Sequence, residues 1–177
     1  MTRILTAAVA ALLFAIPTGA PRAQTAAPAL EATAAPITSM DHQFLVKDAQ
    51  GGAYEIAIAA LAQQRSSRDD VKSYASRVVT DHATYNQALQ ELARAKGVEL
   101  PATMTADDQV RLNSINSQAG STADRSFIEE AVRVNAEDKQ AAADEAAKTG
   151  DPDIKAFLRK FEAVDAEHER LALALRR

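Results

Sequence analysis

The 177 residues contain no cysteine and no tryptophan. Without cysteine, disulfides, thiol chemistry and thiolate metal sites are excluded, and a lipid anchor on an N-terminal cysteine is not expected. Aromatic residues make up 5% of the chain beside abundant alanine. That balance favours closely packed helices over a β-sandwich. The net charge is −4 with no strongly basic block. Nucleic-acid binding is therefore not expected, since neutralising phosphates takes clustered Lys and Arg. Nothing in the sequence resembles a nucleophile elbow or a phosphate-cradling glycine loop. Past the first stretch there is no run of about 18 consecutive apolar residues, so no transmembrane span is expected after leader removal.

What is present falls into three parts. Residues 1–23 read as a signal peptide, with Arg3 as the positive start and Ile4 to Ile16 as the apolar run. Thr18 and Ala20 are the small residues of a cleavage site. Residues 24–37 read as a flexible tether, rich in Ala, Pro and Thr, which has too little apolar surface to offset its ordering entropy. Residues 38–177 read as one domain. The export signal predicts a protein of the periplasm or associated with the outer membrane.

The domain is predicted to be all-α. Helix 1 is expected from Ser39, as its cap, to Gln64, with a buried face of Phe44, Leu45, Ala49, Gly52, Ile56, Ala59 and Ala60. Gly51-Gly52 inside that pattern marks either a break or the close approach of a neighbouring helix. Ser67 to Asp70 resembles a capping box opening helix 2, with Gly97 placed as its left-handed terminator. A long connection, residues 97–123, holds a short helix over residues 106–116. Helix 3 is expected from a cap at Asp124 to Thr149, with Phe127, Ile128, Ala131, Val134 and Ala142 inward. Gly150 is then placed as its left-handed stop, Asp151 as the next cap and Pro152 at the first position of helix 4. Connections of short, long and short length predict a ferritin-like four-helix bundle with a long crossover between helices 2 and 3.

Two stripes carry the candidate chemistry. Val71, Ala75, Val78, His82, Tyr85, Leu89 and Leu92 recur at steps of four and three. Phe157, Phe161, Val164, His168, Leu171 and Leu175 do the same. Each long apolar face thus carries one histidine. Counting from the helix ends places Glu55, His82 and His168 near one level. Asp165 precedes His168 by three residues, and Asn135 and Asp138 lie on or beside the face of helix 3. His42 is expected in solvent. Asp81 and Glu167 precede the histidines directly and so point about 100° away from them, toward solvent or neighbouring helices.

Three blocks carry a family resemblance: Gly52-Ala-Tyr-Glu55-Ile with Ala59-Ala-Leu-Ala62; Val71-Lys-Ser-Tyr-Ala75 with Val78-Val-Thr-Asp81-His82 and Asn86; and Ile154-Lys-Ala-Phe157 with Glu167-His168. From about Met40 onward the chain resembles the bacterial "domain of unknown function 4142" family. The resemblance implies a ferritin-like fold and a periplasmic or outer-membrane location, and implies no settled activity. Family members often have a histidine in helix 3 where this chain has Asn135.

Two readings of function stand. In one, the chain is a non-enzymatic envelope or stress-related protein, binding or structural, acting through its surface on an envelope partner or on copies of itself, with the histidines as hydrogen-bonded core residues. In the other, Glu55, His82, His168 and Asp165 hold a transition metal (Fe, Mn, Zn or Cu) in the core. A full di-iron site needs a Glu from each of two helices and a Glu-x-x-His from each of the other two. Here Val79 occupies the carboxylate position before His82.

Overall fold

The computed structural model describes residues 37–177. The expected leader and the expected tether up to residue 36 lie outside the described residues. Those described form five helices and no strand: α1 (Ser39–Arg65), α2 (Asp69–Ala95), α3 (Ala106–Asn116), α4 (Gly120–Lys148) and α5 (Pro152–Leu175).

Local chemistry sets each boundary. Thr38, not Ser39, caps α1. Its hydroxyl accepts the Asp41 N–H at 3.1 Å, and the Asp41 carboxylate accepts the Thr38 N–H at 2.9 Å. The box expected over Ser67–Asp70 does not form. α2 starts after Arg68 without a side-chain cap. The Arg68 guanidinium takes Asp70 in a two-pronged, charge-assisted contact, which is stronger than a neutral hydroxyl cap. Gly97 ends α2 with the expected left-handed φ, 70°.

α4 begins at Gly120 rather than at Asp124, which sits buried inside the helix. Ser121, Thr122 and Ala123 tolerate helical geometry, so the helix extends back to the glycine. At its other end Thr149 adopts extended backbone and its hydroxyl accepts the Asp151 N–H at 3.1 Å. Gly150 is not left-handed, unlike the stop expected there. Asp151 caps α5 by accepting the Asp153 and Ile154 N–H groups at 2.9 and 3.1 Å, with Pro152 following it.

α1 packs on α2 and α4, and α5 packs on α2 and α4. Cross-helix contacts give the directions. His82 of α2 and Lys96 just after it meet His168 and Asp153 of α5, in reversed order. Tyr54 and Asp41 of α1 meet Glu130 and Glu145 of α4, again reversed. Neighbours are antiparallel, so α2 and α4 run the same way. The chain from 96 to 119 must return the length of α2 between them, and α3 rides on α1 and α4 along that return.

The core has two apolar parts. One contains Tyr54, Ile58, Val71, Val78, Phe127 and Leu175. The other contains Leu45, Tyr85, Leu89, Ile154, Phe157 and Phe161. Between them every long helix turns polar. The buried face of α1 is rotated from the expected one: Tyr54, Glu55, Ile58 and Ala62 are buried, whereas Ile56 and Ala60 are only partly so. Having α2 on one side and α3 and α4 on the other covers a broader arc than a single stripe. At Gly52 an added Cβ would lie 2.4 Å from Asn86 Oδ1, so the close approach of α2 accounts for this glycine.

One end of the molecule is held by a buried carboxyl pair. Asp41 and Glu145 are both buried and lie against each other, and Asp41 accepts from the Thr38 N–H and hydroxyl. Burial, the Asp41 contact and the Asp41 charge push Glu145 up to about 7. For Asp41, burial acts upward but is outweighed by hydrogen bonds from Thr149 and Thr38, leaving it at about 2. A raised folded-state pKa gives stability that is complete below the unfolded value near 4.5 and lost as pH rises through about 7. Glu145→Gln removes the charge that faces Asp41. It is expected to match the parent in thermal melts at pH 4.5 and to exceed it by about 1–2 kcal/mol at pH 8. Equal stability of the two proteins at pH 8 would show that the pair keeps its proton there.

Candidate functional site

The polar layer is built by helix periodicity. Asp48 and Glu55 lie two turns apart on α1, Asn135 and Asp138 one turn apart on α4, and Asp165 and His168 one turn apart on α5. α2 contributes His82. Glu55 and His82 are 2% and 3% exposed, and His168 is fully buried.

Glu55 Oε2 lies 3.3 Å from His82 Nε2. The contact is not aligned as a hydrogen bond, and neither ring nitrogen of His82 has a hydrogen-bond partner among the described residues. The His82 and His168 rings are 5.5 Å apart, centroid to centroid. The Glu55 and Asp138 carboxyl groups lie close to each other across α1 and α4 and raise the cost of charging Asp138. The Tyr85 hydroxyl donates to Asp48 Oδ2 at 2.7 Å. Asp165, from α5, acts electrostatically on Glu55, Asp48 and His82.

Thus Glu55, His82 and His168 do share one level. Asp165 joins them, and Asp138, which the sequence placed only on or beside its face, belongs to the layer. Asn135 turns aside: its Nδ2 donates to Ala131 O at 2.7 Å and to Tyr74 Oη at 3.4 Å. His42 is exposed, as expected. Glu167 pairs with Arg170 and Arg77.

Two participants were missed by sequence reasoning. Asp48 sits beside Ala49, which had been assigned to the apolar face, and its spacing of seven from Glu55 was the available signal. Asp81 does point away from His82, its own neighbour, but in doing so reaches the other histidine: His168 Nε2 lies 2.9 Å from Asp81 Oδ2. Asp81 is partly exposed and also meets Arg77 at 3.3 Å. His168 is therefore held toward the α2–α5 seam, while His82 faces the carboxyl groups.

The electrostatics of the layer are unbalanced. Among the described residues no Lys or Arg is ion-paired with Asp48, Glu55, Asp138 or Asp165; Lys139, which acts on Asp165 from a distance, is paired with Glu169. Burial, then the charges of Asp138 and Asp165, carry Asp48 to about 7 against the Tyr85 hydrogen bond. Burial and Asp138 carry Asp165 to about 6. Burial also raises Glu55 and Asp138, which face each other. It holds His82 below its ordinary value, although the surrounding carboxyls pull the other way. As these side chains lie, no three His, Asp or Glu groups among the described residues are arranged to hold a metal ion.

The family model described as "Domain of unknown function (DUF4142)" matches residues 25–175. No curated protein matches. A solved structure, the crystal structure of a DUF305 fragment from Deinococcus radiodurans, is similar with a TM-score of 0.71 and 14% identity, covering 80% of this chain and 97% of that one. At that identity the likeness speaks for the helical fold alone.

The raised carboxyls give a second pH dependence. Stability from Asp48 and Asp165 is complete below their unfolded value near 3.8 and lost as pH rises through about 6 to 7. Without added cations, chemical denaturation should show the protein weaker at pH 8 than at pH 5.5. Asp48→Asn, which still accepts from Tyr85, should recover about 1–2 kcal/mol at pH 8. No recovery would mean that Asp48 is already relieved by solvent.

Proposed function

The chain belongs to the DUF4142 family, and from that premise and the geometry above we propose that it is an exported ferritin-like four-helix bundle protein that binds a divalent transition-metal ion in its polar layer, without catalysis of its own. The bundle reading is supported by the connection lengths and by the pairing of α1 with α4 and α2 with α5. Export to the periplasm or outer membrane rests on the charged start and apolar run of residues 1–23. Among the described residues no helix is long and apolar enough to cross a membrane.

The observation that carries the metal reading is His82: buried, with both ring nitrogens unpartnered, beside carboxyl groups that no cation offsets. A buried polar group needs partners, and buried like charges either take up protons or bind a cation. The donors are hard oxygens with one imidazole, which suits Fe, Mn or Zn. Each long helix contributes: Glu55 from α1, His82 from α2, Asp138 from α4 and Asp165 from α5. That distribution follows the carboxylate bundle template with aspartates in place of two glutamates and Val79 in place of the last carboxylate. Glu55 and Asp138 would have to be ionised to hold the ion and would supply its oxygen donors. His168, engaged by Asp81, braces the layer. A shortened ligand set argues for a single ion held as cargo or structural charge.

Protein purified without chelators and then loaded in turn with Fe, Mn and Zn is the test, with metal counted by mass spectrometry. About one ion per chain is expected, and Glu55→Gln/His82→Ala should lower occupancy at least tenfold while keeping its helical spectrum. No metal in the parent after all three loadings overturns the reading. The layer would then be a structural device that sets helix register.

A further inference from the structure

Asp165 is the member of the polar layer with the least support from its own chain. It is 9% exposed. No hydrogen bond reaches its carboxyl group among the described residues; burial and the charges of Asp138, His82 and Lys139 are what act on it. Lys139, the cation in that set, is held by Glu169. A buried carboxylate with neither a donor nor a counter-ion is costly.

One flank of Asp165 is open. A slot of about 170 Å³ runs between α4 and α5 and reaches it. Ala142, Ala143 and Ala146 share one face of α4 and form one wall, and buried Leu158 of α5 forms the other. Alanines there leave space that larger side chains would close, in an interior that is otherwise densely packed. Arg159 and Glu162 stand at the mouth, both exposed and opposite in sign. With the Lys139–Glu169 pair they leave Asp165 as the one uncompensated charge of the slot. A water takes about 30 Å³ in the liquid, so the space suits roughly six non-hydrogen atoms. An anion would be repelled at the inner end, and a neutral alcohol would leave the carboxylate uncompensated. A short alkyl chain ending in an ammonium group satisfies both the walls and the charge.

We infer that the α4–α5 slot is a binding site for a small aliphatic monoamine, whose ammonium group meets Asp165 and whose chain lies on Ala142, Ala146 and Leu158. One carboxyl group is all that such a ligand needs. The inference does not rest on the metal reading. An ion and an amine would compete for Asp165, so the two are separated by working on metal-free protein.

The test is titration of the chelator-treated full chain with n-pentylamine at pH 8, followed by the amide chemical shifts of isotope-labelled protein. At that pH the amine is charged, and Asp165, which burial and Asp138 carry to about 6, is ionised. Saturable shifts are expected over residues 142–146 and 158–165. Ethylamine, three methylenes shorter, should bind at least tenfold more weakly. n-Pentanol, with the same chain and no charge, should not saturate the site. Asp165→Asn is expected to weaken n-pentylamine at least tenfold. Ala143→Leu, which narrows the slot from the exposed side of α4 and leaves Asp165 in place, should weaken it severalfold. No saturation with n-pentylamine overturns the site, as do equal affinity for n-pentanol and parent affinity in folded Asp165→Asn. Should Asp165→Asn not fold, parent affinity in Ala143→Leu overturns it instead. Metal counting is a separate measurement, and failure of the amine site leaves the metal reading standing.

Discussion

A layer of ionisable side chains divides an otherwise apolar core, and the rest of the molecule is arranged around keeping that layer tolerable. Two buried carboxyl groups, Glu55 and Asp165, with half-buried Asp48 and Asp138 beside the His82 imidazole, repel, lose hydration and demand protons, partners or a cation. Tyr85 answers for Asp48 and Asp81 for His168. Both ring nitrogens of His82 are without a hydrogen-bond partner among the described residues. The apolar parts on either side hold the helices at the spacing that makes this mutual dependence unavoidable.

The same problem recurs at the end of the molecule in a milder form. Asp41 and Glu145 are also buried and face to face, but hydroxyls from Thr38 and Thr149 surround them. There the carboxyls split, one low and one high, and a single proton suffices. In the central layer no hydroxyl apart from Tyr85 meets the four carboxyls among the described hydrogen bonds, and the values rise together. A pair with local donors is a clasp; a cluster without them is a candidate binding site. The contrast comes from the neighbours, since both groups consist of the same residue types.

Much of the fold was legible because its signals are local. Asp151-Pro152 starts a helix wherever it occurs, and Gly97 stops one. The steps of four and three around His82 and His168 define a face without reference to any partner. The misplacements had equally local causes. At the start of α2 the Asp70 carboxylate is taken by Arg68, and α4 ran back to Gly120 because nothing between Gly120 and Asp124 opposed a helix. On α1 the inward arc widened toward Tyr54 and Ile58 once three helices, and not one, lay against it.

By itself the sequence determined that long helices exist, where most of them end, and that each carries polar residues midway along an apolar face. Tertiary structure alone decided which of those residues meet. Residues on a helix turn about 100° and rise 1.5 Å per step, so contact between helices depends on axial register and rotation that no single segment encodes. Asp81 looked wrong for His82 and proved right for His168. Asp138 lies beside Glu55 only because α4 runs antiparallel to α1 at that height.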